Sequence, residues 1–166
     1  MQTEELIPLR EYLATPYDPD CDYVDGVVEE RNAGERDHAA VQMAVSACFY
    51  QRRKEWGIHV FPEQRVQISP TRFRVPDVCV VAGDKPEEQI LSAPPFVCIE
   101  ILSPEDRLTK VRQRMDDYLG FGVPYVWLLD PYTRKAYRWT TTGMTEISEL
   151  RTENPDTCVP PEALFE

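Results

Sequence analysis

No apolar run in the 166 residues approaches the ~20 needed to cross a bilayer. The leading Met1-Gln2-Thr3-Glu4-Glu5 is acidic, where a secretory signal would be basic and then apolar. A cytoplasmic domain is therefore expected. Histidine is scarce, with His38 and His59 the two present, and the five cysteines (Cys21, Cys48, Cys79, Cys98 and Cys158) show no C-x-x-C spacing. Few histidines and scattered cysteines argue against zinc and predict reduced, mostly buried thiols. No repeat or low-complexity tract stands out. Ser103 lacks the G-x-S-x-G surroundings of an activated serine. Basic residues are also in short supply, 18 Lys and Arg against 29 Asp and Glu, a net charge of −11. That excludes a protein that coats nucleic acid with its whole surface.

What is present fits one ordinary domain of roughly 100–200 residues. Charged residues make up 28% and hydrophobic ones 42%, a globular balance rather than a disordered or membrane one. Fifteen prolines fall between apolar runs, as punctuation. The charge is uneven. Residues 1–37 carry a net −8, residues 38–75 a net +4, residues 76–119 a net −4 and residues 120–166 a net −3. An anionic partner should approach the middle of the chain.

The pattern predicts an N-terminal amphipathic piece, Leu6 to Leu13, and two short strands around Asp25-Gly26. Asn32 and Glu35 have capping-box spacing. They introduce a helix to about Trp56 whose His38, Val41, Val45, Cys48 and Phe49 share a face. Gly57 ends it. Strand-like runs follow at His59–Ile68, Arg74–Val81 and Phe96–Leu102. Ser103 as N-cap and Pro104 in the first turn introduce a second helix, about Glu105–Phe121. The nearly continuous apolar Tyr125–Leu129 reads as a strand buried on both faces, with Tyr125 and Trp127 in the core. A further strand spans Arg134–Thr140. The expected fold is α/β, a mixed central sheet flanked by helices. Residues 1–150 would form the domain and residues 151–166 a proline-rich acidic tail.

Two carboxylates stand out. Asp77 opens one strand and Glu100 nearly closes the next, so an antiparallel hairpin would bring them to the same sheet end. Two carboxylates in apolar strands repel each other and lose hydration. A divalent cation such as Mg²⁺, with its taste for oxygen ligands, would relieve both problems. Pairing of each carboxylate with an arginine, Arg74 or Arg65, would relieve them equally well.

Arg-Val-Pro-Asp-Val at 74–78, Ile-Glu-Ile-Leu-Ser-Pro-Glu-Asp-Arg at 99–107, and Asp-Tyr-Leu-Gly-Phe-Gly-Val-Pro-Tyr-Val-Trp-Leu-Leu-Asp-Pro at 117–131 resemble the Uma-two-like family. Asp25-Gly26, Glu30-Arg31-Asn32 and Gly34-Glu35…His38 are similar to that family too. These are restriction-endonuclease-like proteins of the PD-(D/E)xK nuclease superfamily. The resemblance covers about residues 10–140. It implies Mg²⁺ (with Mn²⁺ as a substitute) held by Asp77, Glu100 and the carbonyl of Ile101, and a metal-activated water that attacks a DNA phosphodiester.

One departure matters. The superfamily's lysine position, two after the acidic residue, is Leu102. In the resembling family the basic residue often lies on the second helix, four residues before the position of Tyr118, which is Arg114 here. On a helical wheel whose buried face is Leu108, Val111, Met115, Tyr118 and Leu119, Arg114 lies at the margin and Lys110 points away. Arginine stays protonated, so Arg114 would orient water or hold phosphate rather than act as base. The resemblance points His38 toward the acidic pair as a substrate or supporting contact, with Glu30 a weaker candidate. Glu63 has strand position alone to recommend it.

Two readings stay open. One is a Mg²⁺-dependent DNA endonuclease, working as a homodimer as duplex-cutting nucleases often do. The other is a catalytically degenerate nuclease fold serving as a binding or assembly module, favoured by Leu102 and the net charge of −11. Hydrolysis of a small phosphate ester is a third possibility.

Overall fold

The computed structural model describes residues 4–32 and 34–165. In chain order its elements are α1 (Leu9–Ala14), β1 (Asp22–Val24), β2 (Val27–Glu29), α2 (Arg36–Gln51), α3 (Arg53–Trp56), β3 (Ile58–Pro62), β4 (Val66–Ser69), β5 (Arg72–Arg74), β6 (Val78–Ala82) and β7 (Val97–Ile101). Then come α4 (Leu108–Phe121), β8 (Tyr125–Asp130), β9 (Lys135–Thr140), β10 (Gly143–Ile147), β11 (Leu150–Thr152) and β12 (Thr157–Val159).

Period-two alternation builds the layers. The main sheet runs β10-β9-β8-β7-β6-β3, with β7 and β8 parallel and the other neighbours antiparallel. Val78, Val80, Val97, Ile99 and Ile101 gather with Val41, Val45 and Phe49 of α2 on one face. Cys79, Cys98, Val126 and Leu128 gather with Val111, Met115 and Tyr118 of α4 on the other. The expected α/β sandwich is thus the observed one. No described helix is long and apolar enough to cross a membrane.

A smaller sheet, ordered β2-β1-β5-β4, leans on α1 through Tyr12, Tyr23 and Phe73. Asp25 and Gly26 have φ of 50° and 97°, the left-handed pair that a two-residue hairpin requires, and Val24 faces Val27 across it. Gly122 closes α4 at φ 102°, where a side chain would be strained.

Several expectations need correction. The run His59–Ile68 is two strands in different sheets, broken at Glu63 with φ 50°. Arg74–Val81 is likewise divided: Pro76 has no N–H to offer a ladder, so β5 stays in the small sheet and β6 begins the large one. Asn32 does not cap α2. Glu35 stands at that cap without a side-chain bond, and the Asn32 amide donates to Asp106 Oδ1 at 3.1 Å. Ser103 does not cap α4, which starts at Leu108 behind Arg107. Instead the Ser103 N–H donates to Asp106 Oδ2 at 2.8 Å, making residues 103–107 a tight loop. Leu108, expected on the buried face of α4, is exposed. The segment after Glu149 does not trail away. It forms the β11–β12 hairpin and a 3-10 turn at Pro161–Ala163, and Leu150, Val159 and Leu164 are buried in the α2-side core.

Candidate active site

The break between the two sheets makes the site. Asp77 follows Pro76 at the corner where the chain crosses from β5 to β6, and β6 pairs with β7 in the register Val78↔Ile99. One step further along that register sets Asp77 beside Glu100. Both carboxylates are almost wholly buried, and both line one cavity of about 640 Å³. The hairpin juxtaposition read from the sequence is present. Ile101, the third expected donor, lines the same cavity, as do His38, Glu30, Glu63 and Arg114.

Asp77 is held from all sides. The Ile101 N–H donates to its Oδ2 at 2.7 Å, His38 Nε2 lies 3.3 Å from the same oxygen, and Arg31 Nη2 lies 2.5 Å from Oδ1. The Asp77 carbonyl accepts from the Gln42 amide at 3.0 Å and from the Glu63 N–H at 3.1 Å. Burial opposes its charge, but the His38 bond, the Arg31 and His38 charges and the Ile101 N–H prevail, so its pKa lies below the usual carboxylate value. His38 answers in kind. Burial works against its cationic form, yet Asp77 raises its pKa.

Glu100 is the opposite case. Burial dominates, Arg114 only partly offsets it and the Asp77 charge adds to it, so the carboxyl is pushed up to about 8. Oε1 accepts the Tyr118 hydroxyl at 2.5 Å, while Oε2 has Arg114 Nε no nearer than 3.7 Å. Arg114 Nε and His38 Nδ1 are buried without hydrogen-bond partners among the described residues. Arg114 also reaches Asp106 Oδ1 at 3.4 Å. Its marginal position on α4 therefore does turn it into the site.

The arginine partners differ from those expected. Arg74 is fully buried among Asp22, Glu29 and Asp117, and Arg65 reaches Asp20 at 3.7 Å. Arg31 and Arg114 flank the acidic pair instead. Lys110 is not wholly turned away, since its ammonium meets Glu29 Oε1 at 2.8 Å on the cavity wall. Arg31, Asp106 and Tyr118 are the members that sequence reasoning missed. Arg31 did lie inside the Glu30-Arg31-Asn32 motif, but nothing in that stretch says where its side chain reaches.

The cavity wall carries eight Asp or Glu against four Arg or Lys and His38, so it favours a cation. Among the described residues, no three His, Cys, Asp or Glu side chains gather to hold a metal. The donors that would fit are the two carboxylates and the Ile101 carbonyl, an all-oxygen set suited to an ion that keeps several waters. Glu100, short of counter-charge and protonated near neutrality, is the group a divalent cation would ionise.

Among solved structures, the chain is similar to the crystal structure of a putative nuclease belonging to DUF820 from Anabaena variabilis ATCC 29413. The two share 22% identity and a TM-score of 0.79, over 96% of this chain and 97% of that one. At that identity the likeness is one of fold. No curated protein matches. The family model described as Uma2, putative restriction endonuclease, matches residues 9–166, nearly the whole chain. The chain belongs to the Uma2 family.

Proposed function

We propose that the chain is a divalent-metal-dependent nuclease acting on DNA, with Asp77, Glu100 and the Ile101 carbonyl holding Mg²⁺ or Mn²⁺. The observation that carries this reading is the pair of buried carboxylates from adjoining strands on one cavity wall. Family membership supports it independently. When bound, the cation supplies Lewis-acid activation of water and neutralises charge on the phosphate.

The chain's own residues do the rest. Arg114, with an unpartnered Nε and a loose grip on Glu100, holds a phosphate oxygen or orients water, the role left open by Leu102. His38 bonds Asp77 and keeps its second nitrogen toward no acceptor among the described residues, so it fixes the carboxylate and has a donor to spare. Tyr118 fixes Glu100 from below.

Cleavage of supercoiled and single-stranded DNA in Mg²⁺ or Mn²⁺ tests the reading. Asp77→Asn removes the charge the ion needs at nearly constant volume. It should abolish cutting and cation binding, and because it leaves Arg31 without its counter-charge it should also lower stability, so folding is checked by circular dichroism. Equal background cutting by wild type and Asp77→Asn would favour the second reading, a degenerate binding module. The observation on that side is specific: Arg31 and His38 already neutralise Asp77.

A further inference from the structure

Arg31 lies in the loop two residues past β2, and its side chain is only 14% exposed. Its Nη2 closes on Asp77 Oδ1, on the carboxylate that the proposed function gives to a divalent cation. A guanidinium stays charged at every accessible pH, so a permanent cation occupies a ligand oxygen of the ion.

The two arrangements exclude each other. A guanidinium and a divalent ion on one carboxylate repel at close range in a poorly solvated cavity, and Asp77 Oδ2 is already committed to Ile101 and His38. Arg31 must then release Oδ1. Two of the cavity's carboxylates are already engaged: Glu29 by Arg74 and Lys110, and Asp106 by Arg114, Asn32 and the Ser103 N–H. A phosphate oxygen entering beside the metal would be a matching partner, because a guanidinium binds phosphate through two parallel bonds.

We infer, resting on the metal-dependent reading above, that Arg31 is an internal counter-ion for Asp77 that moves to the substrate phosphate when the divalent cation binds. The exchange sets two opposed effects in one residue. Arg31 weakens cation binding in the free protein and strengthens the hold on DNA once the cation is in place.

Arg31→Met and Arg31→Lys test it, with Mn²⁺ affinity by calorimetry and cutting of a DNA duplex in Mn²⁺ as separate readouts. Arg31→Met should bind Mn²⁺ about tenfold tighter, because the competing charge is gone, yet cut on the order of 10²-fold more slowly for want of a phosphate donor. Arg31→Lys keeps the charge and loses the bidentate fork. It should fold like wild type, bind Mn²⁺ as wild type does, and still cut slowly. Unchanged or weaker Mn²⁺ binding by a folded Arg31→Met would overturn the counter-ion role. Undiminished cutting by Arg31→Lys would overturn the phosphate role, and stands even if Arg31→Met does not fold. The underlying reading fails differently: wild type and Asp77→Asn would then bind Mn²⁺ equally or not at all.

Discussion

Glu100 and Asp77 sit in one cavity with opposite protonation behaviour, and that difference has a measurable sign. Glu100 is raised from 4.5 to about 8, so between those values the folded protein keeps a proton that the unfolded chain has lost. Stability of the cation-free protein should therefore fall as pH rises from about 4.5 to about 8. His38, also raised, contributes stability that is full below its ordinary 6.5 and is lost as pH rises through its folded value. Asp77 acts the other way. Its stabilisation is present above 3.8 and disappears as pH falls through its lowered value. Thermal melts in chelator across the window should show Tm declining with pH, and Glu100→Gln should flatten much of that slope. Added Mn²⁺ should raise Tm most at the upper end, where less proton must be displaced. A flat profile for the wild type would mean Glu100 is ionised throughout. Asp77 and Glu100 were legible from the strand ends, and Arg114 from the family resemblance, with a helical wheel placing it at the margin of α4. Arg31 and Asp106 were not, because loops carry no period and their side chains act across 46 and 74 positions of chain, on Asp77 and Asn32.

Among the elements, the small sheet and α4 are joined by one buried cation. Arg74 on β5 donates from Nη1 to Asp22 of β1 and Glu29 of β2, each at 3.0 Å, and from Nε to Asp117 of α4 at 2.8 Å. Asp22 also accepts the Val75 N–H at 3.0 Å, next to the Pro76 break that delivers Asp77. Removing the guanidinium leaves three carboxylates facing one another without it. Arg74→Met should therefore cost about 3–5 kcal/mol in urea denaturation, far more than the exposed pair Arg52–Glu55 on α3's first turn, for which loss should be near zero. A cost below ~1 kcal/mol would show that water or shifted side chains satisfy the carboxylates. The same network explains why strand boundaries were only half legible. Apolar runs marked β7 and β8 to within a residue at each end, but the runs that became β3–β4 and β5–β6 each read as one strand. What separates them into two sheets is Glu63 in a left-handed conformation and Pro76 without a donor, reinforced by pairing to β1 far away in sequence. Helix starts failed for a related reason. Asn32 and Ser103 had the right residue type for a cap, but Asp106 attracts both, so the caps gave way to a loop clasp across the cavity mouth.

For the whole molecule, the decisive quantity is where charge sits relative to the cavity. The chain carries −11 overall, and the cavity wall itself is acidic on balance. The basic middle segment foreseen from the sequence is largely spent internally: Arg74 serves the network above, Arg72 pairs with Asp25 and Asp117, Arg65 faces Asp20 and Arg52 pairs with Glu55. Little of that +4 is left as a free stripe for phosphates. The prolines after Glu149 do not supply a detached acidic tail either, since that segment closes the core against α2. Association with DNA by surface charge alone is then disfavoured. It should depend on the divalent cation and on Arg31 and Arg114 within the cavity. A duplex-binding protein that neutralises many phosphates loses affinity steeply with salt, with a logarithmic slope of about −0.9 per phosphate contacted. Here the slope should correspond to about two or three contacts per chain, set by those arginines and any neighbours, and binding should vanish in chelator. Fluorescence anisotropy of a labelled duplex with cleavage-inactive Asp77→Asn cannot report this, because that variant lacks the cation. Arg114→Ala keeps both carboxylates and slows cutting, so titrated in Mn²⁺ over a range of salt it should show that slope less the one contact it removes. Tight, chelator-resistant binding with a steep salt slope would place the nucleic-acid contact on some other face and break the link between cavity and substrate.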